Sequence, residues 1–363
     1  MGVKIIVLGA GVVGLSTAVN IQSSIPNACV NVIANNFYED TTSYGSGGLF
    51  IPTLQSQDGS DVEKLRKWCA DSWKFYASLA TGLEAGNCGA IISSGYQLCN
   101  GNLERYQNAL YKEFVFQYER LSDKEMEDFG FLPHYKFGFK VITIALDQRK
   151  YLIWLQQRLR DGGGQLGKEK SNQYERERIF RLNVTINSFL TTLTIQFVDK
   201  CDVLINCCGL GSRELVGDKL MFPARGEIVR VKAPWIKHWV NTDDVTYMIP
   251  GENDIALGGL KQNGKESLKV ESNETEDILQ RCLKLIPSLK AAKIDHTWVG
   301  LRPCRKGIRL GKETLKFGNG TLEVIHNYGH GSDGVALSWG TAMEVVDLVK
   351  KCLPQRHEVM SKL

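Results

Sequence analysis

The opening of the chain constrains its fold more than any other stretch. Residues 4–8 form a short apolar run typical of a buried strand, and residues 15–19 have the composition of a helix. Between them, residues 9–14 have the sequence GAGVVG. A G-x-G-x-x-G pattern in the order strand, turn, helix is typical of dinucleotide-binding folds. We therefore predict a nucleotide site at this turn; the alternative is a glycine-rich strand–helix turn without a ligand.

Each glycine of this pattern has a physical task. Gly9 permits the tight turn, Gly11 lets the backbone approach a pyrophosphate, and Gly14 lets the helix pack close to the strand. The start of the helix offers free N–H groups and the positive end of the helix dipole to phosphates. The pattern thus predicts that phosphates bind at the start of this helix.

Length and composition restrict the remaining choices. At 363 residues the chain exceeds the size at which one core stops growing, which favours two joined domains. A net charge of +4 is too mild to predict a nucleic-acid partner. No apolar run reaches the ~18 residues that a membrane-spanning helix needs. Ten cysteines without a C-x-x-C pair predict reduced, mostly buried thiols rather than a disulfide framework.

The periodicity of apolar residues predicts the α/β fold class. We expect a Rossmann-like domain with a parallel sheet and a second, mostly antiparallel α+β domain. Apolar runs predict further parallel strands over residues 30–34 and 203–209, and helical spacing predicts helices over 62–79, 147–160, 275–285 and 335–351. Alternation predicts antiparallel strands over residues 227–232, 246–249 and 255–260.

The order of these segments predicts a discontinuous nucleotide domain made of residues 1–55, 150–215 and 300–350. The substrate domain is predicted over residues 56–149 and 216–299, followed by a C-terminal tail over 354–363. The tail ends in Ser361-Lys362-Leu363, the tripeptide that directs proteins to the peroxisome. We therefore expect the peroxisomal matrix as the location and the peroxisomal import receptor as a partner.

Two further segments carry chemistry. Residues 329–334 form a second glycine-rich turn between a predicted strand and a predicted helix, whose N-terminus could stabilise negative charge. His326 and His330 are four residues apart, but Gly329 and the strand context argue against a metal site. Arg302, followed by a proline, offers a stiffly held fork suited to a carboxylate, although an isolated arginine is more often a surface ion-pair residue.

Together these segments resemble the D-amino-acid oxidase family of FAD enzymes, in particular its acidic-substrate branch. The similarity runs over nearly the whole length. The segments that carry it are residues 7–16, 206–213, 225–227, 247–251, 257–259, 300–303 and 326–332. The His-Asn-Tyr-Gly-His-Gly turn at residues 326–331 is the most specific of them. Ser332 and the Gly-Leu-Gly-Ser-Arg run at 209–213 resemble the acidic-substrate branch more than the neutral one.

The resemblance implies FAD as the cofactor in the Rossmann-like domain. The glycine turn would hold the pyrophosphate, two asparagines the adenosine, a hydroxyl-rich loop the middle of the cofactor, and residues 331–336 the flavin. The implied contacts are Gly9, Ala10, Gly11, Val12, Val13, Gly14, Asn35, Asn36, Thr41, Thr42, Ser43, Gly47, Gly48, Leu49, Ile186, Cys208, Gly209, Arg302, Gly331, Ser332, Asp333, Gly334, Val335 and Ala336.

The resemblance also implies the substrate contacts and the reaction. Arg302 would bind the α-carboxylate with both arms and Tyr247 would donate a second hydrogen bond. The Ser332 carbonyl would accept from the α-amine, and Lys261 would meet the side-chain carboxylate. A hydride would pass from the α-carbon to flavin N5, and the imino acid would hydrolyse to a 2-oxo acid and ammonia. Oxygen would reoxidise the flavin and yield hydrogen peroxide.

Several positions depart from the family pattern and leave alternatives open. Asn35 follows the second strand where the dinucleotide fingerprint has an acid, and an amide contacts the ribose without charge. Lys261 replaces an arginine, and a further arginine expected near Asn241 is absent. Acidic D-amino acids, D-aspartate and D-glutamate, are the expected substrates. The alternatives are neutral D-amino acids, a catalytically silent nucleotide-binding homologue and a nicotinamide-dependent dehydrogenase. A homo-oligomer is compatible with the sequence.

Overall fold

The computed structural model describes residues 2–54, 57–107, 109–132, 134–168, 200–317 and 320–353. The predicted tail at 354–363, with Ser361, Lys362 and Leu363, and the predicted cofactor contact Ile186 lie outside these ranges. One extended sheet runs through the described part of the chain, with a parallel portion at one side and a mainly antiparallel portion at the other. The α/β fold class predicted from the sequence is thereby confirmed.

The parallel portion contains five strands that run in one direction. Its spatial order is β6 (Gln165–Lys168), β2 (Cys29–Ala34), β1 (Lys4–Leu8), β7 (Val203–Asn206) and β14 (Gly320–His330). These strands are rich in branched apolar side chains that are almost fully buried, as expected for a sheet covered on both faces. The strand order reverses at β1, and ligands bind at such a point, outside the carboxyl ends of the strands.

The antiparallel portion continues from β14 without a break. β13 (Lys293–Phe317) pairs with β14 and also with β8 (Met221–Lys232). The order continues through β11 (Ile255–Gly258), β10 (Tyr247–Pro250), β9 (Trp239–Thr242), β3 (Ala90–Cys99), β5 (Phe137–Leu146) and β4 (Gln117–Arg120), with the short β12 (Gln262–Asn263) beside β8. Only the β9–β3 pair in this portion is parallel among the described strands.

Helices cover both portions. α1 (Val12–Ser24) and α9 (Gly334–Cys352) pack against each other over the parallel strands, and α2 (Val62–Thr81) and α6 (Gln148–Asp161) pack beside them. α8 (Ser272–Leu285) covers the back of the antiparallel portion through its buried apolar residues. The shorter helices are α3 (Ala85–Cys88), α4 (Leu103–Gln107), α5 (Asp123–Asp128) and α7 (Ser212–Leu215), and single 3-10 turns span Tyr38–Asp40, Leu110–Glu113, Gly209–Gly211, Pro287–Ala291 and Gly331–Asp333.

Several boundaries differ from the sequence-based prediction. The strand predicted over 203–209 ends at Asn206, because the Asn206 side chain accepts from the Cys208 N–H at 3.1 Å and turns the chain into a 3-10 helix. β8 begins at Met221 rather than 227. β13, with 25 residues, belongs to both portions of the sheet. The predicted domain boundaries stay a prediction.

Two global features concern the chain's environment. All ten cysteines are free thiols, most of them buried. Within the described ranges, no helix combines the length and the apolar character that crossing a bilayer requires.

Candidate active site

The glycine turn after β1 is held by close backbone contacts. Gly9 has φ +103°, and a Cβ there would lie 2.4 Å from the Cys207 carbonyl oxygen. A Cβ on Gly14 would lie 2.0 Å from the Gly9 carbonyl oxygen. In contrast, a Cβ on Gly11 would meet only the Ser43 hydroxyl, at 3.2 Å. The first and third glycines are therefore required by packing against backbone, whereas the second has only a side-chain hydroxyl close to it.

A loop over residues 41–48 lies beside this turn. The Ser43 hydroxyl accepts a hydrogen bond from the Val12 N–H at 3.0 Å, so it caps the start of α1 from another part of the chain. The Thr42 hydroxyl donates to the Leu301 carbonyl at 3.1 Å. The Ser46 hydroxyl is buried and has no hydrogen-bond partner among the described residues. The loop thus connects the glycine turn to β13 and carries a polar group that still lacks a partner.

These features fit a dinucleotide. No backbone atom lies close to the Cβ position of Gly11, so a pyrophosphate can approach the main chain there, and the first turn of a helix has N–H groups without partners in the helix. The buried Ser46 hydroxyl can bond to a ligand. Asn35 and Asn36, predicted near the adenosine, are exposed directly after β2. Cys208 and Gly209 lie just after β7, next to the same turn.

Strand register lines up one row of side chains across the antiparallel portion. Directly paired residues on neighbouring strands point to the same face of a sheet. The pairings β3–β9, β9–β10 and β10–β11 place Gln97, Asn241, Tyr247 and Gly258 in one row on one face. Ile228 and Trp298, paired across β8 and β13, pack on the same face beside Tyr247. This row is the framework of the substrate side of the site.

Arg302 lies on the same face of β13 as Trp298. A Cβ on Gly226 would lie 2.3 Å from Arg302 Nη1, so the guanidinium extends over this glycine. Arg302 Nη1 also donates to the Leu260 carbonyl at 3.0 Å. The adjacent residues of β13 contact both cofactor-side segments: Leu301 receives the Thr42 hydrogen bond, and Pro303 would lie 3.5 Å from a Cβ on Gly209. Arg302 is therefore held between the two predicted cofactor segments.

Tyr247 lies close to this guanidinium. Its ring crosses Gly258, where an added Cβ would lie 2.2 Å from the ring carbon Cζ. Burial raises the pKa of Tyr247, and the Arg302 charge opposes that shift. The phenol is therefore protonated at neutral pH and can donate a hydrogen bond beside the arginine. A guanidinium and a phenol on one face are a suitable pair of donors for a carboxylate.

Lys261 and Ser332 are the more exposed members of the predicted substrate site. The Lys261 side chain is exposed. Burial raises the pKa of the Cys304 thiol, and the positive charges of Lys261 and Arg302 oppose that rise. The two cations therefore lie near the same thiol. Ser332 is exposed in the 3-10 turn before α9. The neighbouring Asp333 accepts from Gln57 Nε2 at 3.3 Å.

The two histidines of this region are structural. Burial lowers the pKa of His330 to about 3, and its Nε2 lies 3.2 Å from the Thr341 hydroxyl. His326 contacts Glu313 and Asn206 through its two ring nitrogens. Within the described ranges, no group of three His, Cys, Asp or Glu side chains is arranged to hold a metal ion.

The structure brings the predicted residues into two neighbouring groups. The glycine turn, the 41–49 loop and the segment at 208–209 form one group, and Arg302, Tyr247 and Lys261 form the other. Gly331 to Ala336 form the turn and the first residues of α9. Sequence reasoning missed the close packing at Gly226 and the Gln97–Asn241 pair. No local pattern signals either one, because both depend on which strands become neighbours.

A glycine turn that fits a nucleotide, next to a face that offers a guanidinium and a phenol as donors, is typical of a nucleotide-dependent enzyme with an anionic substrate. The profile of one family, described as FAD dependent oxidoreductase, matches residues 4–348. The chain belongs to this family, and FAD is its cofactor.

Individual proteins support the same family. The chain is 34% identical to D-aspartate oxidase of Homo sapiens, over 96% of this chain and 95% of that protein. It is 31% identical to D-amino acid oxidase of Dugesia ryukyuensis, over 96% and 98% of the two chains. The crystal structure of glycine oxidase from Geobacillus kaustophilus shares the fold at 18% identity, with a TM-score of 0.73 over 97% of this chain and 96% of that one.

Proposed function

We propose that this protein oxidises D-amino acids with acidic side chains, D-aspartate and D-glutamate. The products are the 2-oxo acid, ammonia and hydrogen peroxide, formed from the amino acid, oxygen and water. The observation that carries this proposal is the position of Arg302, beside Tyr247 and between the Thr42 and Gly209 segments. The names of the D-aspartate and D-amino acid oxidases to which the chain is similar support it.

The family resemblance implies the cofactor residues, and the geometry of the glycine turn supports this assignment. The main chain of residues 9–14 and the start of α1 would bind the pyrophosphate, and Asn35 and Asn36 the adenosine. The hydroxyls at residues 41–43 and the backbone at 47–49 would hold the middle of FAD, and residues 331–336 the flavin side. When bound, FAD supplies the group that accepts two electrons from the substrate and passes them to oxygen.

The chain's own residues bind and orient the substrate. The Arg302 guanidinium and the Tyr247 hydroxyl would bind the α-carboxylate, which fixes the position of the α-carbon. The Ser332 carbonyl would accept a hydrogen bond from the neutral α-amine. Lys261 would pair with the side-chain carboxylate. No side-chain base is needed in this arrangement, since positioning and electrostatics supply most of the rate.

A peroxide assay tests this proposal. Purified protein with added FAD is incubated with D-aspartate, D-glutamate, D-alanine and L-aspartate, and hydrogen peroxide and ammonia are measured. We expect equal amounts of both products from the two acidic D-amino acids, less from D-alanine and none from L-aspartate. Higher kcat/KM for D-alanine would favour the neutral-substrate alternative, with which the uncharged Asn241 is consistent. Bound FAD without peroxide from any substrate would indicate a catalytically silent homologue.

We also propose that the protein acts in the peroxisomal matrix after recognition of Ser361-Lys362-Leu363 by the import receptor. The tripeptide matches the receptor-read address, and a peroxide-forming reaction suits that compartment. A fluorescent protein fused in front of the whole chain tests this. We expect punctate fluorescence that coincides with a peroxisomal marker and becomes diffuse when Leu363 is deleted. Diffuse fluorescence of the intact fusion would contradict the proposal.

A further inference from the structure

The loop that is proposed to hold the middle of FAD contains the sequence Gly45-Ser46-Gly47-Gly48. Glycine loses more conformational freedom than any other residue when its backbone is fixed, and three of these four residues are glycines. The loop would contribute main-chain atoms to the cofactor site, and tight binding requires those atoms to lie in place beforehand. Contacts from outside the loop therefore have to fix it.

The antiparallel portion of the sheet forms a floor under this loop. A Cβ on Gly45 would lie 2.2 Å from the Trp298 ring, and a Cβ on Gly47 would lie 2.6 Å from Ile249 Cδ1. Leu49 packs on the same apolar cluster as these two side chains. Glycine thus lets the main chain of the loop lie directly on side chains of β13 and β10.

Arg230 is a buried cation beside this floor. It is paired in register with Ala256, a member of the same apolar cluster, so both residues point to the same face of the sheet. The Arg230 side chain is 8% exposed, and its Nη2 lies 3.5 Å from the carbonyl oxygens of both Gly45 and Ser46. A guanidinium has several N–H groups in one plane, so one side chain can face two carbonyl groups. Arg230 thus presents a positive charge to the main chain of the loop.

Two acids and a second arginine hold the Arg230 guanidinium in place. Arg230 Nη1 donates to Asp254 Oδ1 at 3.1 Å, and Arg149 Nη2 donates to the same oxygen at 3.2 Å. Arg149 also donates to both carboxylate oxygens of Asp147, at 2.9 and 2.8 Å. Burial raises the pKa of Asp254, but hydrogen bonding to Arg149 and the charge of Arg230 outweigh burial and lower that pKa overall. The four side chains therefore form a set of two cations and two anions, in which each buried charge has a partner.

We propose that Arg230 is a positioning residue for the cofactor, because it holds the main chain of residues 45–48 in the conformation that binds the middle of FAD. The inference rests on the proposed function and adds a side chain of the antiparallel portion to the cofactor site. The acid Asp254 fixes the guanidinium, and the guanidinium fixes the loop. Without this contact the glycine-rich segment samples other conformations in the free protein, which lowers cofactor affinity.

Three variants of the full chain test this role. Arg230→Met removes the guanidinium and keeps an unbranched apolar side chain. Arg230→Lys keeps the charge, but a single ammonium group can face Asp254 or the loop carbonyls and not both. Lys232→Met is the matched control. Lys232 lies on the same strand, and its Nζ is 4.0 Å from Asp254 Oδ2, but it donates to the Asn253 carbonyl rather than to the loop.

Hydrogen exchange of the chain without FAD measures the loop itself. The Ser46 N–H donates to the Ser43 carbonyl at 3.2 Å, so its exchange rate reports on the closed loop. We expect the exchange of residues 44–48 in Arg230→Met to accelerate about 10-fold more than that of residues 203–206 in β7. Lys232→Met should leave the exchange of both segments unchanged.

FAD titrations followed by fluorescence quenching measure the consequence for the cofactor. We expect the Kd of FAD to rise about 10-fold in Arg230→Met, about 3-fold or more in Arg230→Lys, and to stay within about 2-fold in Lys232→Met. Because Arg230→Lys keeps a cation beside Asp254, its melting temperature without FAD should stay close to that of the unsubstituted chain. Weaker FAD binding at preserved stability separates a positioning role from a general contribution to folding.

Equal acceleration of exchange at residues 44–48 and 203–206 would show only global destabilisation and overturn the proposal. An unchanged Kd of FAD in Arg230→Met, or the same loss in Lys232→Met, would overturn it as well. If Arg230→Met does not fold, Arg230→Lys decides the question, and an unchanged Kd of FAD in that variant contradicts the role of the loop contact. If the unsubstituted chain does not bind FAD, the proposed function fails, while the exchange rates still decide whether Arg230 fixes the loop.

Discussion

The parallel and antiparallel portions of the sheet build their parts of the site in different ways. At the parallel portion, the decisive atoms belong to the main chain of one short turn. Because Gly9 and Gly14 have no side chain, the backbone segments of this turn can pack closely against each other and against Cys207. At the antiparallel portion, side chains from several strands are aligned by register, so Tyr247 and Arg302 become neighbours across more than fifty positions of sequence. A local motif defines the first site, and tertiary pairing defines the second.

The largest expected effect falls on the antiparallel portion alone. Arg302→Ala removes the fork that binds the α-carboxylate, which costs about 2–5 kcal/mol of binding free energy. The value of kcat/KM should fall at least ~30-fold for every D-amino acid, since 1.4 kcal/mol is tenfold. FAD affinity, measured by fluorescence quenching, should fall much less than kcat/KM, because the glycine turn and the 41–49 loop supply most of the proposed cofactor contacts. Arg213→Ala, an exposed ion-pair residue, serves as the control; near-normal turnover of Arg302→Ala would refute the assigned role.

The next largest effect falls on the parallel portion. Gly14→Ala places a methyl group 2.0 Å from the Gly9 carbonyl oxygen, where backbone atoms must move. We expect about 1–3 kcal/mol of destabilisation and at least ~10-fold weaker FAD binding. Gly167→Ala on β6 is the matched control, because its Cβ would meet nothing within 4 Å. Similar melting temperatures and FAD affinities for the two variants would contradict this account of the turn.

A pH-dependent effect tests the burial of His330, at the carboxyl end of β14. Because its pKa is about 3 in the folded chain and about 6.5 when exposed, the unfolded chain binds the proton first. Stability is therefore full well above pH 6.5 and falls toward pH 3, by about 1 kcal/mol at pH 5.5. Urea unfolding gives the free energy of unfolding at pH 7 and at pH 5.5. The decrease between these two pH values should be smaller in His330→Asn than in the unsubstituted protein, by about that amount. The same decrease in both proteins would mean that His330 titrates as an exposed group.

A smaller effect should strengthen the parallel portion. Asn35→Asp restores the acid that dinucleotide sites place after the second strand, so a charged acceptor would meet the ribose hydroxyls. We expect FAD to bind more tightly by about 1 kcal/mol, roughly 5-fold. Asn253→Asp, in the exposed turn between β10 and β11, controls for the added charge. Weaker binding in Asn35→Asp would place the adenosine elsewhere.

The smallest effect concerns Lys261. Because this cation is exposed, its pairing with a substrate carboxylate is worth about 1 kcal/mol or less. Lys261→Met should raise the KM for D-aspartate about 2- to 5-fold and leave that for D-alanine unchanged. Lys269→Met, another exposed lysine, is the control. If both substrates are affected equally, Lys261 is a surface charge without a role in specificity.

The comparison of the two portions also explains what the sequence could predict. The strand bounds of β1, the turn at Gly9 and the α/β class follow from local patterns, and the structure agrees with them. The family resemblance supplied Arg302, Tyr247 and Lys261. The neighbours of Arg302 could not be predicted: Gly226 lies beneath it only because β8 pairs with β13 in one particular register.

The same limit applies to strand ends and to side-chain pairs between strands. β7 stops at Asn206 because its own side chain caps the following turn, a contact that apolar periodicity does not encode. Gln97 and Asn241 meet because β3 pairs with β9, although 143 residues of intervening sequence give no sign of it. Register is a property of the folded sheet, so residues that depend on it appear only in the structure.

One long strand makes the two portions a single mechanical unit. β13 hydrogen-bonds to β8 along one edge and to β14 along the other, and it carries Arg302 in its middle. Rotating one portion against the other would strain the backbone hydrogen bonds that β13 makes to β8 and to β14, so we expect the two portions to move together. Loss of either portion therefore exposes the other, and we expect heat to melt both in one cooperative step whose midpoint rises for the entire chain when FAD is added.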